Sequence, residues 1–163
     1  MEFTLADLSR RLQNLVRFGT IAEVKHGRVP QVRLQIGDIK TGFLPMATAR
    51  AGKTKTWNPP TVGEQCVLLS PSGEFAGGVV LPGIASNHNP APDTNPDNTR
   101  TEYPDGATAD YNHAEHHYII TLPAEGKFSF VVGATTLELR NDGVTLRTPM
   151  KNGVRSYITT ILH

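Results

Sequence analysis

Three histidines lie close together in the segment YNHAEHHY, as His113, His116 and His117, with Glu115 between them. Imidazole and carboxylate groups are the ligands that zinc and related metals take in proteins, so this spacing raises the possibility of a metal site. The segment alternates poorly between apolar and polar residues and falls where a loop leads into a strand. We therefore interpret these side chains as surface histidines, and the sequence predicts no bound cofactor.

Carboxylates that could support acid–base catalysis are present, but their contexts are those of turns. Acid–base catalysis needs two positioned carboxylates, whereas Glu64, Glu74, Asp105 and Asp110 each stand beside turn-forming residues. We expect them to cap backbone amides or to face solvent. The sequence contains no Gly-x-Ser-x-Gly nucleophile motif and no phosphate-binding loop. It therefore predicts no enzymatic activity.

A binding site for nucleic acid or glycan is the alternative that the sequence leaves open. Trp57 is the only tryptophan, and Arg50, Lys53 and Lys55 precede it. An exposed aromatic ring stacks on bases or sugars, and basic side chains contact phosphates. Alternatively, Trp57 packs on the prolines that follow it, and the basic residues face an acidic protein surface. The formal net charge of +1 disfavours a nucleic-acid partner.

The composition favours short strands over long helices. The chain of 163 residues has 15 glycines, 12 prolines and 38% hydrophobic residues, a turn-rich pattern with a thin core. The single cysteine, Cys66, lies in the apolar run QCVLLS, so we expect a buried thiol in a reducing compartment. No apolar run approaches 18 residues, and no secretory signal is evident, so synthesis in a cytoplasm is expected.

The N-terminal segment 1–17 has the periodicity of a helix. The spacing of Thr4 and Asp7 predicts a capping pair, and Gly19 is expected to mark the exit from the helix. Such a helix must lay its apolar stripe on its own domain or on a neighbouring subunit. The residues of this stripe, which we predict to be a docking surface, are Leu5, Leu8, Leu12 and Leu15.

Residues 18–85 change to the period of two that is typical of strands. The run QVRLQI alternates apolar and polar residues. The segment WNPPTVGEQCVLLSPSG, residues 57–73, places an apolar strand between two proline-containing turns, and we expect this strand to be buried on both faces or nearly so. About five short strands after one helix fit a small closed Greek-key barrel of the OB type.

Residues 86–112 contain several prolines and few large apolar residues, which predicts an extended connector on the surface. In 113–163, short strands separated by glycine-containing turns offer only two or three inward side chains each. Such strands must stack on a neighbour to bury a face, and the neighbour could be the same segment of another chain in a multi-chain β-prism. The side chains that we expect to point inward are Phe128, Phe130, Leu137, Leu139, Val144 and Leu146.

Taken in order, these segments resemble the baseplate assembly protein V family of contractile-tailed phages, the central tail spike. The resemblance rests on LADLSRRLQNLVRFGTIAEV, on TARAGKTKTWNPPTVGEQCVLLSPSGEFAGGVVLPGI, and on NPAP followed by TEYPDGATADYNHAEHHYIITLP. It implies an all-β protein with an N-terminal helix and an OB barrel, followed by a trimeric triple-stranded β-helix. Related spikes occur in type VI secretion systems and R-type bacteriocins.

The function that the resemblance implies is structural. The protein is expected to be a homotrimer below the tail tube that contacts tube and hub proteins and pierces the host outer membrane when the sheath contracts. We expect it in a virion baseplate or a tail-like bacteriocin particle, with no nucleic-acid partner. The alternative is an OB-fold oligonucleotide- or glycan-binding module with a β-rich oligomerisation tail.

The end of the chain departs from the family pattern. Many members end in a His-x-His pair that binds one iron ion on the threefold axis, and this chain has none. An axial ion held by three copies of His163 is one possibility. We prefer a blunt apex that contacts a separate cap protein through an apolar patch, formed by Ile158, Ile161, Leu162 and His163.

Overall fold

The computed structural model describes residues 4–149 and divides the chain into two compact units, one ending at Ala91 and the other beginning at Pro92. The predicted boundary between barrel and connector, at residues 85 and 86, lies a few residues earlier. The predicted apex contacts at 158–163 lie outside the described residues. No helix in the described range 4–149 is long and apolar enough to span a membrane.

Helix α1 spans Leu5–Asn14, and Thr4 caps it by accepting a hydrogen bond from the backbone amide of Asp7 at 3.3 Å. The predicted capping pair is therefore confirmed. The helix ends before residue 17, and Gly19 does not mark its exit, because strand β1 begins at Val16. The pairing of residues 16–20 with residues 65–69 takes this segment into a sheet.

The first unit is a closed barrel that follows α1. Its strands are β1 (Val16–Lys25), β2 (Gln31–Ile36), β3 (Ile39–Lys40), β4 (Leu44–Pro45), β5 (Gln65–Leu69) and β6 (Val79–Ile84). The sheet runs in the order β3-β2-β1-β5-β6, and β4 pairs with β2. A parallel bridge from Met46 to Val80 connects the two ends of the sheet. This closure is the arrangement of an OB-type barrel.

The core of the barrel is formed by alternate residues of these strands. Gly19 permits close packing here, since a Cβ atom at this position would lie 2.9 Å from the Gln35 carbonyl oxygen. Strand β5 buries Cys66 and Leu68 on one face, and Val67 and Leu69 on its other face are partly buried, which agrees with the prediction of a strand buried on both faces or nearly so. The buried core residues are Ile21, Val32, Leu34, Ile36, Leu44, Cys66, Leu68 and Val80.

The described part of the second unit, residues 92–149, contains two three-stranded antiparallel sheets. The first comprises β7 (Asn98–Glu102), β8 (Thr108–Asn112) and β9 (His117–Thr121), and the second comprises β10 (Lys127–Val132), β11 (Thr135–Arg140) and β12 (Gly143–Arg147). The prediction of a connector through 86–112 is therefore wrong for its second half. A turn in which Asp105 accepts from the amide of Ala107, and Gly106 adopts φ +85°, folds β7 onto β8.

Candidate functional site

One face of the sheet β10–β12 gathers the side chains that the sequence predicted to point inward. Phe128 pairs with Leu139, and Leu139 pairs with Val144 on the next strand. The neighbouring row consists of Phe130, Leu137 and Leu146. The predicted alternation therefore brings these six residues together as two cross-strand rows, which we call the prism face.

The opposite face of the same sheet is mostly polar, with Val131 as its one apolar side chain in the described strands. Glu138 lies between Ser129 and Thr145 in the cross-strand register, and its carboxylate accepts a hydrogen bond from Arg140 Nε at 2.7 Å. This hydrogen bond from Arg140 lowers the pKa of Glu138. The charged side keeps its contact with water, so the two sides of the sheet differ sharply in polarity.

The prism face has no full cover within the described part of the chain. Phe130 is 57% exposed, and Leu139, Val144 and Leu146 are also exposed. A contiguous apolar face of this kind on a soluble protein marks an interaction surface. In a single chain, the side chains of the predicted trimer core therefore form an exposed face. That other chains bury this face stays a prediction.

Helix α1 presents its leucine stripe away from the barrel. Leu5 is 87% exposed, and Leu8, Leu12 and Leu15 are exposed as well. The helix is attached instead through its polar side, where Arg10 binds Glu74 at 3.0 Å. The backbone at Arg11 also lies against Gly73, with no room for a Cβ atom there. The four predicted docking residues therefore share one exposed stripe, but no described contact identifies a partner.

A second apolar sheet face, which the sequence analysis missed, covers the outside of the barrel. Its side chains lie on β1, β5 and β6, opposite the buried side chains of the same strands. One row pairs Val16 with Leu69 and Val79, and the next row pairs Phe18 with Val67 and Leu81. Phe18 is 63% exposed. The sequence indicated this face only through QCVLLS, which is apolar on both sides of the strand. It did not show which residues of β1 and β6 pair with this strand.

The three histidines of the segment YNHAEHHY occupy different local environments. His113 Nε2 lies 3.2 Å from Asp97 Oδ1, and His116 occupies a turn with φ +54°. His117 begins β9 and pairs with Asn112 in register. No group of three metal-ligating side chains occurs among residues 4–149. His163 lies outside the described residues.

The candidate carboxylates occupy structural positions. Glu64 accepts a hydrogen bond from the amide of Thr61 at 3.1 Å, as Asp105 does from an amide within its own turn. Glu74 pairs with an arginine of α1, and Asp110 pairs with Arg100 at 3.3 Å. Glu64 and Asp105 thus cap turns, as predicted. The predicted turn context is wrong for Asp110, which lies within β8.

Trp57 and the basic residues lie on the surface of the barrel unit. Trp57 is 55% exposed, and its ring meets His26 edge-on with a centroid distance of 6.3 Å. The exposed basic residues Arg50, Lys53 and Lys55 lie on a hairpin that is closed by a hydrogen bond from the amide of Thr56 to the Arg50 carbonyl at 3.0 Å. An accessible aromatic ring and exposed basic side chains are therefore available for the alternative function, the binding of nucleic acid or glycan.

Cys66 is buried, as predicted, and its Sγ donates to the Gly19 carbonyl at 3.4 Å. Burial raises the pKa of the thiol to about 11. The thiolate, which is the reactive form, is therefore strongly disfavoured, and Cys66 acts as a core residue rather than as a nucleophile.

Two comparisons with known proteins bear on these surfaces. Residues 17–84 match the family described as the type VI secretion system/phage-baseplate injector OB domain. The chain is also 40% identical over 109 residues to the spike protein of Escherichia phage P2, a match that covers 66% of this chain. The matched region spans 50% of that curated relative, so the chain covers about half of its length.

Proposed function

Because this chain belongs to the phage baseplate spike family, we propose that it is a non-enzymatic structural protein that forms a homotrimeric central spike. In this proposal the spike lies below the tail tube of a contractile tail and is driven through the host outer membrane when the sheath contracts. The relationship to a baseplate injector domain and a phage spike supports a place in the virion tail.

The observation that carries this proposal is the prism face. Two cross-strand rows of large apolar side chains lie on one side of a three-stranded sheet, and charged residues lie on the other. Three copies that turn these faces toward a common axis would bury all of them at once, while the charged sides remain in water. Burial of apolar area stabilises association by about 25 cal/mol per Å². An obligate interface of this kind typically exceeds about 2,000 Å².

A spike must also resist peeling when force is applied along its axis. Exposed strand edges are the points at which a sheet can be invaded or opened. Pairing or covering these edges between chains would remove that weakness. In this proposal the barrel unit connects the shaft with the rest of the baseplate rather than performing chemistry.

Two further contacts follow from this role. The exposed stripe of Leu5, Leu8, Leu12 and Leu15 is proposed to dock on a tail-tube or hub protein, because it is apolar and faces away from its own barrel. The segment 158–163 is proposed to contact a separate cap protein at the apex. In this account the spike binds neither nucleic acid nor a resident cofactor.

The mass in solution tests the proposal. Sedimentation equilibrium at micromolar concentration should give three times the chain mass of 17.7 kDa, with no dissociation on tenfold dilution. The control is the same protein in a denaturant concentration that unfolds it, which should return the mass of one chain. A monomeric folded protein at micromolar concentration would contradict the spike function.

The second candidate function is supported by the exposed Trp57 beside the basic hairpin. An OB-fold module that binds single-stranded DNA through Arg50, Lys53 and Lys55 should show an affinity that falls steeply with salt. We expect a spike to show no saturable binding between 50 and 200 mM salt. The matched pair is the native protein and Trp57→Ala. Saturable binding that weakens with salt and is lost in the variant would support the binding module instead.

A further inference from the structure

Positive charge is concentrated on one surface of the first unit. Residues 4–91 contain ten lysines and arginines but five aspartates and glutamates, an excess that the net charge of +1 conceals. Three of those five carboxylates are already bound to arginines. Two largely exposed segments that contain no carboxylate, residues 25–30 and 47–59, are brought together by the contact of His26 with Trp57. The basic residues of these segments, which we call the basic surface, are Lys25, Arg28, Arg50, Lys53 and Lys55.

A groove begins beside the basic surface, where the barrel closes. The bridge between Met46 and Val80 closes the barrel at one point, and β6 is the last strand in the sheet order. Past this bridge, a groove of about 630 Å³ lies between residues 47–60 and the end of β6. The carboxylate that reaches it, Glu64, accepts a hydrogen bond from the amide of Thr61. The residues that line the groove include Thr48, Thr56, Pro59, Pro60, Leu81 and Pro82.

We propose that this surface binds an extended acidic segment of another protein. Apolar side chains of that segment lie in the groove, and its carboxylates lie against the basic surface. The proposal goes beyond the spike function and does not rest on trimer formation, since all of the residues involved belong to the first unit of one chain. It also uses none of the leucines of α1 that are proposed to dock on a tube or hub protein.

The position of the groove argues for an extended chain as its occupant. Because β6 ends the sheet order, its outer edge past Val80 is not covered by another strand in the described part of the first unit. An extended peptide adds to such an edge through its main chain, and its alternate side chains enter neighbouring pockets. Leu81 and Pro59, which are exposed in the groove, offer apolar contacts to those side chains.

The charges determine which extended chain fits. A carboxylate that approaches the basic surface meets five cationic side chains, and neither segment carries a negative charge that would repel it. Complementary charge accelerates association and rejects partners of the wrong sign. Arginines such as Arg28 and Arg50 also bind a carboxylate through two parallel hydrogen bonds. An acidic chain with apolar side chains therefore matches both parts of the surface.

A single strand of nucleic acid matches only one part. It carries phosphates for the basic surface but no aliphatic side chains for a groove lined by prolines and leucine. Sites for single strands also stack successive bases on aromatic rings. The described rings of this surface, Trp57 and His26, meet each other edge-on with their planes at 74° and do not form parallel platforms. The observations therefore favour a polypeptide.

Peptide binding to the native full chain tests the proposal. The probe is a short fluorescein-labelled peptide that alternates aspartate and leucine, and its binding is measured by fluorescence anisotropy. We expect saturable binding. The matched peptide that alternates aspartate and serine should bind about tenfold more weakly or worse, because it keeps the charge but has no apolar side chains for the groove. A peptide that alternates lysine and leucine should not bind.

Two matched charge reversals locate the binding. Lys55→Glu changes the basic surface next to the groove, and we expect it to weaken binding of the aspartate–leucine peptide by about tenfold. Lys40→Glu makes the same change on β3, outside both segments. It should alter the affinity by about twofold at most, because exposed charges that do not contact the peptide are largely screened at physiological salt. Both lysines are exposed, and circular dichroism should show native folding of both variants.

The opposing outcomes are distinct. No saturable binding of the aspartate–leucine peptide, or equal affinities of the two variants for it, would overturn the proposal. Oligothymidylate that binds more tightly than this peptide, and is weakened by Lys55→Glu, would assign the surface to nucleic acid instead. Sedimentation of the same samples separates these results from the spike function. A trimer that does not bind the peptide leaves the spike standing, whereas a monomer that binds it overturns the trimeric spike and retains the acidic-peptide surface.

Discussion

The rings of Phe128 and Phe130 lie edge to face, with their centroids 4.8 Å apart and their planes at 84°. Two aromatic rings that are two residues apart on a strand must be on the same side of the sheet, and this geometry is a favourable one for an aromatic pair. The contact gives the prism face a rigid aromatic ridge beside the aliphatic residues of β11 and β12. It also fixes which side of each strand is apolar, and the first prediction depends on that assignment.

A charge on the prism face should be far more damaging than the same charge on its reverse. Leu137→Asp places a carboxylate between Phe130 and Leu146, where burial without a partner costs several kcal/mol, on the order of 2–7. We expect loss of the trimer in sedimentation experiments and a lower unfolding midpoint.

The matched control for this prediction is Thr136→Asp, one residue earlier and on the opposite side of β11. Thr136 pairs with Arg147, so an added carboxylate there meets a positive charge, and stability should change by about 0.5 kcal/mol or less. Equal effects of the two variants would show that the assignment of the two faces is wrong.

The attachment of α1 to the barrel should depend on Gly73. This residue has φ +71°, and a Cβ atom would collide with the backbone of Arg11. Gly73→Ala therefore combines an unfavourable backbone conformation with overpacking, for which we expect a loss of about 1–3 kcal/mol. Hydrogen exchange of the α1 amides should accelerate, because the helix must move away from residue 73.

Gly77→Ala is the control for the effect of a methyl group alone, since nothing lies within 4 Å of a Cβ atom at that position and its φ is not positive. We expect its unfolding midpoint and its α1 exchange rates to match those of the native protein. Unchanged exchange of α1 in Gly73→Ala would show that the helix is held by side-chain contacts such as Arg10–Glu74 instead.

Cys66 should make the protein less stable in alkaline solution. Its pKa is raised by burial from an ordinary value of 9.0 to about 11 in the folded protein, so the folded state retains the thiol proton that the unfolded state loses. The contribution is fully present below pH 9 and is lost progressively as the pH rises toward 11. Urea unfolding of the native protein and of Cys66→Ala between pH 7.5 and 10.5 measures it. The difference between their free energies of unfolding should shrink with pH, and parallel curves would contradict this account.

Removal of residues 158–163 should leave a folded trimer, because the proposed core residues lie upstream of that segment. The truncated protein should retain the native mass in sedimentation but lose binding to the cap protein in reconstituted baseplates. Elemental analysis of the full chain tests the alternative, an ion site at the apex. About one transition-metal ion per trimer, lost on His163→Ala, would show that the terminal histidines form an ion site instead of a cap contact.

Local patterns in the sequence predicted correctly those features that depend on residues close together along the chain. The cap of α1 depends on two residues three positions apart, and it forms as the pattern indicated. The division of β10–β12 into apolar and polar sides follows from alternation within each strand, since successive side chains of a strand point to opposite faces. The apolar residues on either side of Cys66 in the sequence likewise predicted a buried thiol.

Pairing between distant segments decided the rest. The predicted helical segment extended to residue 17, but β1 begins at Val16. Pairing with β5 brings Val16 and Phe18 beside Leu69 and Val67, which lie about 50 positions away in the chain, and so creates the outer apolar face of the barrel. The sequence did not predict strands β7 and β8, because the surrounding segment contains several prolines. Its composition also does not show which segments pair as neighbouring strands. The outward direction of the leucine stripe was likewise undetermined, since periodicity shows which residues share a face but not what that face contacts. Only the folded chain, in which the polar side of α1 is held at Glu74 and Gly73, leaves that stripe exposed.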